Sequence, residues 1–313
     1  MQSIELRWKE LQPSLLKPVF QLVDATHPLR FYLGRSTVGE CLFLLIDETK
    51  PISIKSLKTI EIDIEERPDG AWSLLMTLKD IDFLGLFSQL CEDLLYSSKS
   101  LPKSSSASTF VSRRLLSWKR MMEEGKRHTL GESEIRGLIG ELWTLHQNII
   151  PKFGNLASIK AWVGPLGANQ DFQFEDTAYE VKTVQVGCDF IQVSNESQLD
   201  NSFREIQLEV HQLIESLQND AFSLNTIVER VQSLLDQDFI ALDSFDERLC
   251  SVGYTRLKDY DEPKFKVVST ERYLVGDDFP RLTAGQLMQG ISDVKYKILL
   301  SNCSKFKINF QPR

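Results

Sequence analysis

The stretch that decides the fold of this chain is Gln170-Asp171-Phe172-Gln173-Phe174-Glu175-Asp176-Thr177-Ala178-Tyr179-Glu180-Val181-Lys182. Apolar and polar residues alternate on both sides of Glu175-Asp176, and this period of two predicts two β-strands joined by a turn. Asp171 then lies directly opposite Glu180, with Lys182 on the same face as Glu180. A loop of two or four residues keeps this register, whereas a loop of three would turn one acid to the other face. We favour the loop Phe174 to Thr177, because Glu-Asp lacks the glycine that the tightest hairpin turns prefer.

The predicted hairpin brings two acids together. Carboxylates on directly opposite strand positions have Cβ atoms about 5 Å apart and repel each other unless a cation lies between them. Magnesium binds through oxygen ligands of this kind. The pattern therefore indicates a Mg²⁺ site at Asp171 and Glu180.

A helix with a buried stripe precedes the hairpin. Its apolar positions are Ile135, Leu138, Leu142, Leu145 and Ile149. Glu141 falls on this stripe, so its carboxylate is expected to point toward the interior. Taken alone, Glu141 fits a salt bridge with a buried basic residue equally well. Gly137 and Gly140 each cost about 1 kcal/mol relative to alanine inside a helix, which predicts that another backbone or a ligand comes close to both.

The pattern along the chain predicts two domains. Residues 1–96 form an α+β module, with an opening helix on Ile4, Trp8, Leu11 and Leu15, strands within Arg30–Asp47 and Thr59–Leu78, and a helix on Phe83, Phe87, Leu90 and Leu94. Residues 97–109 are rich in serine and are expected to form a linker. Residues 110–313 form the second domain, which carries the hairpin.

Further elements are predicted in the second domain. A helix restarts at Val111, Leu115, Trp118 and Met122, and Thr129-Leu130-Gly131-Glu132 resembles a capping box before the next helix. Ile206 to Leu213 fits a strand or a helix. Strands are predicted at Phe190–Ser194, Phe265–Val275, Val294–Leu300 and Phe306–Phe310, a polar turn at Asn195–Leu199, and helices at Leu224–Leu234 and Phe239–Leu249.

Composition limits the class of protein. The 313 residues are 42% hydrophobic and 26% charged, which is typical of a globular protein. No apolar run approaches the ~18 residues of a membrane helix, and the first twenty residues lack the pattern of a secretory signal. The five cysteines are widely spaced, without a C-x-x-C motif. A reducing cytoplasm without membrane association is the expected location.

The net charge of the chain indicates whether it can bind nucleic acid without a partner. The net charge of −8 argues against a free-standing, high-affinity nucleic-acid binder, because Lys and Arg contacts to phosphate supply most non-specific affinity. A local basic surface or a partner must then provide the attraction. The densest basic run comprises Arg113, Arg114, Lys119, Arg120, Lys126 and Arg127, and we interpret it as a solvated helix face.

Other chemistries lack their motifs. The four histidines, His27, His128, His146 and His211, have neither zinc-ligand spacing nor a His-Asn-His arrangement, and we interpret them as incidental or packed residues. The chain contains no G-x-x-x-x-G-K-[ST] motif and no G-x-S-x-G motif. It is therefore not expected to be an ATP-driven motor itself.

An acid on a helix, followed by Asp-x8-Glu-x-Lys on a hairpin, is the order found in the PD-(D/E)XK nuclease superfamily, which this chain resembles. More narrowly, it resembles a little-characterised PD-(D/E)XK family that is commonly encoded in bacterial restriction and phage-defence gene clusters. The runs that carry this resemblance are Gly137–Leu142, Trp162–Pro165, Asp171-Phe172, Glu180-Val181-Lys182, Ser197-Gln198-Leu199 and Phe279–Leu282. We interpret the Trp-Val-Gly-Pro and Phe-Pro-Arg-Leu runs as structural. Gln170 stands where the superfamily name has proline.

The resemblance implies an α/β fold with a restriction-endonuclease-like mixed central sheet flanked by helices. It implies that Asp171 and Glu180 bind Mg²⁺, or Mn²⁺ as a substitute, with the main-chain oxygen of Val181 as a third ligand. Lys182 would orient or deprotonate the attacking water.

Two further residues receive roles from the resemblance. Glu141 would bind a water of the metal shell or a second cation. Gln198 would position a phosphate or a water of the metal shell, although an ordinary hydrogen bond within a turn fits it equally well.

The implied function is that of a metal-dependent phosphodiesterase, a DNA endonuclease subunit of a bacterial restriction or phage-defence system. Its expected protein partners are an ATPase, a helicase or a methyltransferase of the same system. A nuclease-like scaffold that binds DNA or a partner ATPase without cutting is the alternative. Cleavage of RNA stays open, since phosphodiester chemistry does not identify the sugar.

Overall fold

The computed structural model of the chain describes residues 3–99, 107–123 and 129–308. The chain forms two compact units, Met1–His128 and Thr129–Arg313. Each unit has its own sheet and its own helices.

The first unit is built on a five-stranded antiparallel sheet with the strand order β1-β2-β3-β5-β4. Its strands are β1 (Val19–Leu22), β2 (Arg30–Arg35), β3 (Cys41–Asp47), β4 (Ile60–Glu66) and β5 (Trp72–Leu78). The predicted strand regions are confirmed, and the turn between β4 and β5 closes with a hydrogen bond from Gly70 N to Arg67 O at 2.9 Å. Sequence patterns did not indicate β1.

In the described part of the first unit, three α-helices accompany the sheet: α1 (Ile4–Glu10), α2 (Leu84–Ser97) and α3 (Ala107–Glu123). Trp8 of α1 stacks on Phe87 of α2, with ring centroids 5.1 Å apart, and both side chains are buried. The predicted opening helix is shorter than its apolar spacing indicated, because it ends at Glu10 and leaves Leu15 exposed.

The boundary between the units lies later in the chain than the predicted linker at residues 97–109. Residues 100–106 of that linker lie outside the described residues. Ser97 belongs to α2 and is buried. Helix α3 belongs to the first unit, where Arg114 donates two hydrogen bonds of 2.6 Å to the buried Asp93 carboxylate on α2.

The same contact corrects our interpretation of the basic run as a solvated helix face at one position, Arg114, whereas Arg113 is exposed. Arg114 is only 4% exposed, and its Asp93 partner also accepts a hydrogen bond of 2.7 Å from Trp118 Nε1. A charge of this kind is buried because a specific acid on another helix pairs with it, which helical periodicity alone does not reveal. Lys126 and Arg127 lie outside the described residues.

The second unit contains a four-stranded mixed sheet with the order β10-β9-β7-β6, and a two-stranded sheet of β11 and β8. The strands are β6 (Phe172–Gln173), β7 (Thr177–Gln185), β8 (Phe190–Val193), β9 (Glu205–Glu215), β10 (Phe265–Val275) and β11 (Tyr296–Leu299). Strands β7 and β9 are parallel, and the other pairs are antiparallel. The predicted α/β class with a mixed sheet is confirmed.

The described α-helices of the second unit are α4 (Glu132–Thr144), α5 (Ile150–Phe153), α6 (Asn155–Ala161), α7 (Leu224–Leu235) and α8 (Phe239–Ser251). Helix α4 packs against β7 and β9 of this sheet, and α7 packs on α4. A π-helical segment, Leu145–Ile149, joins α4 to α5. The predicted stripe on α4 is buried at Leu138, Leu142, Leu145 and Ile149.

Two details differ from the predictions, and one region that was left open is assigned. The carboxylate of Glu134, not Glu132, caps α4 by accepting a hydrogen bond of 2.7 Å from Gly131 N, since the helix begins three residues after Thr129. The ambiguous Ile206–Leu213 region is strand β9. Within the predicted strand Phe306–Phe310, Phe306 ends a 3₁₀ helix, Leu300–Phe306, Lys307 forms an isolated antiparallel bridge with Tyr273, and Asn309 and Phe310 lie outside the described residues.

No helix among the described residues combines the length and the apolar character that crossing a membrane requires.

The close approach predicted at two glycines of α4 is found at one of them. A Cβ added at Gly140 would lie 2.4 Å from Thr183 Cγ2 and 3.3 Å from Val181 Cγ1, both on β7. A Cβ added at Gly137 would meet nothing within 4 Å among the described residues, so no other backbone comes close to Gly137. Gly140 thus allows α4 to pack directly on β7.

We expect Gly140→Ala to lower the free energy of unfolding by about 1–3 kcal/mol, because the added methyl overpacks the contact with β7. Gly137→Ala is the matched control on the same helix. It should raise stability by about 0.5–1 kcal/mol, because alanine favours the helix and the site is open. Urea unfolding of both variants measures the difference, and equal effects would contradict the packing argument.

Candidate active site

The hairpin has the predicted strand register. Phe172 pairs with Tyr179 and Gln173 pairs with Ala178. Phe174 N donates to Thr177 O at 2.8 Å, so the chain turns at the intervening Glu-Asp pair. Continued by one residue, this register brings Asp171, which directly precedes β6, opposite Glu180 within β7.

Asp171 is held by the main chain on two sides. Its carbonyl oxygen accepts hydrogen bonds from Val163 N at 2.9 Å and Gly164 N at 3.0 Å. Its carboxylate oxygen Oδ2 accepts a hydrogen bond of 2.7 Å from Val181 N. The other carboxylate oxygen, Oδ1, is directed toward the Gly164 segment. Asp171 therefore keeps its position without a basic partner of its own.

Glu180 is buried, with 1% of its side chain exposed. Its Oε1 lies 2.7 Å from Lys182 Nζ, which forms an ion pair on one face of β7. Its Oε2 is also buried and has no hydrogen-bond partner among the described residues. A buried carboxylate oxygen without a partner is energetically costly, and such an atom indicates a missing ion or water.

Glu141 approaches the same place from helix α4. Its Oε2 accepts a hydrogen bond of 2.7 Å from Trp162 Nε1. A Cβ added at Gly164 would lie 3.0 Å from Asp171 Oδ1 and 3.4 Å from Glu141 Oε2. Both carboxylates therefore border the Gly164 backbone, and a side chain at that position would press against them.

The Trp-Val-Gly-Pro run is thus part of the site, although sequence reasoning assigned it only a structural role. Trp162 fixes Glu141, while Val163 and Gly164 fix the main chain of Asp171. The tryptophan in this run was the feature of the sequence that could have indicated a contact with the site, because a buried tryptophan needs a partner for its indole N–H. Its closeness to an acid on a different helix was not visible in the sequence.

Burial dominates the electrostatics of the acids. It raises the pKa of Asp171 to about 6, against the opposing effects of the Lys182 charge and the Val181 N–H. Burial, reinforced by the charge of Asp171, raises the pKa of Glu180 to about 8. Burial and the charge of Asp171 also hold the pKa of Glu141 well above its ordinary value. The charge of Lys182 lowers all three pKa values but does not outweigh burial, and carboxyl groups in this state favour an additional cation.

Burial alone would lower the pKa of Lys182, but the charge and hydrogen bond of Glu180 raise it above its ordinary value. Lys182 Nζ also donates to Gln198 Oε1 at 3.0 Å. Gln198 lies in the predicted polar turn after β8. Its amide oxygen and the Glu180 carboxylate therefore hold the ammonium group between them.

The donor set fits a divalent cation that prefers oxygen. Over the described ranges, no group of three or more His, Cys, Asp or Glu side chains is placed to hold a metal ion. Magnesium does not require such a group, since it keeps several waters and binds through one or two carboxylates. Asp171 and Glu180 provide these carboxylates, and the unpartnered Glu180 Oε2 is a free ligand atom. Val181 N points toward Asp171, and the carbonyl of an extended residue lies on the same side as its N–H, so Val181 O fits as well.

The structure brings five sequence-predicted side chains, Glu141, Asp171, Glu180, Lys182 and Gln198, into one group linked by hydrogen bonds or charge interactions. Among the histidines that the structure describes, His27, His146 and His211, none forms a metal site with it. His211 is buried against Thr144 and Thr270, and burial lowers its pKa to about 4.

Comparison with known proteins gives one match. A family model described as "Putative PD-(D/E)XK family member, (DUF4420)" matches residues 4–301, which span parts of both units. Neither a curated protein nor a solved structure matches the chain significantly.

We expect Mg²⁺ binding to be coupled to proton release, because protons compete with metal for carboxylates. With the pKa of Asp171 raised to about 6 and that of Glu180 to about 8, Mg²⁺ affinity should rise as the pH increases through this range. Calorimetric titration in two buffers of different ionisation enthalpy measures both affinity and released protons. Asp171→Asn should abolish binding, and a Mg²⁺ affinity independent of pH would contradict the assignment.

Proposed function

The chain belongs to this PD-(D/E)XK family, and from that premise we propose that it is a metal-dependent DNA endonuclease, a subunit of a bacterial restriction or phage-defence system. The observation that carries the proposal is the buried, unpartnered Oε2 of Glu180 beside Asp171, with Lys182 ion-paired to the other oxygen. A purely structural ion pair would leave no such atom. The retained acids and lysine also favour a cutting enzyme over a scaffold that only binds.

Asp171 and Glu180 would hold the cation through their carboxylate oxygens, with Val181 O as a further ligand. A bound divalent cation supplies Lewis acidity, which lowers the pKa of a coordinated water and offsets negative charge that develops on the phosphate. The main-chain contacts of Asp171 and the burial of Glu180 fix both oxygens before substrate arrives. Such preorganisation is the protein's own contribution to the rate.

Lys182 would act on the attacking water. An ammonium group has three N–H donors. Within the described chain, two of them are directed to Glu180 Oε1 and Gln198 Oε1. The third can donate to the attacking water, which supports a role in orienting it.

Glu141 would complete the acidic side of the site. Its Oε2 is fixed by the Trp162 indole, and it shares the Gly164 border with Asp171. A carboxylate held there would accept hydrogen bonds from waters around the cation. Gln198 would act on Lys182, given the 3.0 Å contact between them.

The charge distribution supports dependence on partners. Residues 129–313 contain 18 Lys and Arg against 27 Asp and Glu, so this unit carries the acidic excess of the chain. DNA would be repelled from much of such a surface. Partner subunits, such as an ATPase, helicase or methyltransferase, would then supply the phosphate contacts that bring DNA to the site.

We expect the purified protein, with its partner subunits, to cleave DNA only when Mg²⁺ or Mn²⁺ is present, because the clustered carboxylates need a cation to form the catalytic centre. EDTA should abolish cleavage of a plasmid. Asp171→Asn, purified in the same way, is the control for contaminating nuclease. Undiminished cleavage in chelator that disappears in this variant would contradict a metal mechanism.

Lys182→Ala should lower the cleavage rate by about 10²-fold or more, which is the usual contribution of a group that assists proton transfer. DNA affinity should change little, because Lys182 is only 15% exposed and faces the acids. Lys264→Ala, at a surface ion pair with Glu262, is the matched control and should retain full activity. A parallel loss of binding and cleavage in Lys182→Ala would make Lys182 a phosphate contact instead.

The isolated chain should bind DNA weakly, and its affinity should depend little on salt, because few counterions are released by an acidic protein. Adding the partner subunits should increase both the affinity and the salt dependence. Fluorescence anisotropy with a labelled duplex at several salt concentrations measures both. Tight, sequence-specific cleavage by the isolated chain at physiological salt would show that it is a self-sufficient restriction enzyme.

A further inference from the structure

We infer that Gln170 is a positioning residue: it anchors the turn Asn195–Leu199, and through Gln198 in this turn it fixes the Lys182 ammonium group beside Glu180. The catalytic consequence of this inference rests on the proposed function. The positioning itself does not, and it can be tested in metal-free protein.

Both the nitrogen and the oxygen of the Gln170 amide group form hydrogen bonds. It is buried, with 7% exposed, and Nε2 donates to Ser197 O at 2.9 Å and Gln198 O at 3.2 Å. Its Oε1 accepts a hydrogen bond of 2.9 Å from Gln173 Nε2. The two carbonyl acceptors and the amide donor agree on one orientation of the Gln170 side chain. A proline at this position would offer none of these contacts.

The series of hydrogen bonds that starts at Gln170 ends at Lys182. Gln198 Oε1 accepts hydrogen bonds from Lys182 Nζ at 3.0 Å and from Ser194 N at 2.8 Å. The amide oxygen is therefore held by the main chain at the end of β8. Gln170 fixes the main-chain carbonyl of Gln198, and Gln198 fixes Lys182.

The turn also has anchors that do not involve Gln170. Within it, Asn195 Oδ1 accepts hydrogen bonds from Ser197 N and Gln198 N. On its outer side, the Glu196 carboxylate accepts from the main-chain N–H groups of residues 293 and 294, and Arg281 donates to Leu199 O at 2.6 Å. Loss of Gln170 is therefore expected to displace the turn where it meets Lys182 without unfolding it.

Kinetics of Gln170→Met give the first test, since methionine keeps the length of the side chain and removes its hydrogen bonds. A displacement of a catalytic group by about 1 Å can cost about 10²-fold in rate, so we expect kcat to fall by about 10- to 100-fold with KM for DNA nearly unchanged. Gln232→Met, which removes a bond to Asp246 in another part of the same unit, is the matched control and should keep wild-type kcat. A kcat of Gln170→Met equal to that of the control overturns the inference.

A double-mutant cycle tests the route of the effect. If Gln170 acts through Gln198, then Gln170→Met should cause little further loss of kcat in a Gln198→Ala background. Independent, multiplying losses would show that Gln170 acts elsewhere and would overturn the inference.

Labelling of Lys182 in metal-free protein provides a readout that needs no activity. Wild type, Gln170→Met and Gln232→Met are treated with an amine-reactive reagent at one pH, and the rate of modification at Lys182 is measured by mass spectrometry. We expect several-fold faster labelling only in Gln170→Met, because Lys182 is released from the turn in this variant. Unchanged labelling overturns the inference, whereas faster labelling in a chain that cleaves no nucleic acid supports it and rejects the proposed function.

Discussion

The arrangement of this site depends on one electrostatic constraint: the carboxylates of Glu141, Asp171 and Glu180 are held in one corner, where Glu180 is buried, Glu141 and Asp171 are half-buried, and Lys182 interacts with all three. Burial raises the pKa of each carboxyl, and the charge of Asp171 raises those of Glu141 and Glu180 further. Such a cluster opposes folding unless other contacts fix it. The surrounding structure can be understood as the set of contacts that hold these acids in place.

Most of these contacts come from the main chain and from uncharged side chains. Asp171 accepts from the Val181 N–H, Glu141 accepts from the Trp162 indole, and Glu180 alone has an ammonium partner. Neutral donors fix carboxylates without neutralising them. The acids therefore keep their attraction for a divalent cation, whereas further lysines or arginines would have satisfied it.

Helix α4 needs its own support to deliver Glu141. Close packing at Gly140 brings the helix onto β7, and Thr144 donates a hydrogen bond of 2.6 Å to the buried Glu209 on β9. Arg272 on β10 pairs with the same Glu209 carboxylate. Thr144, one helical turn after Glu141, is thereby connected through Glu209 to β9 and β10. This accounts for the buried ion pair of Arg272 and Glu209, which has no part in the proposed chemistry.

The sequence by itself determined the hairpin and its register, because strand alternation is a local pattern that depends on neighbouring residues. The mixed α/β class followed from the family resemblance carried by short sequence motifs. The sequence also indicated Asp171, Glu180 and Lys182, since register alone sets residues opposite one another on paired strands. Only the tertiary structure decided that Trp162 binds Glu141, that Gln170 holds the turn of Gln198, and that α3 belongs to the first unit through Arg114. Each of these contacts joins residues more than fifteen positions apart on different elements. Such pairs depend on how elements pack, and no periodicity within one element encodes their distance.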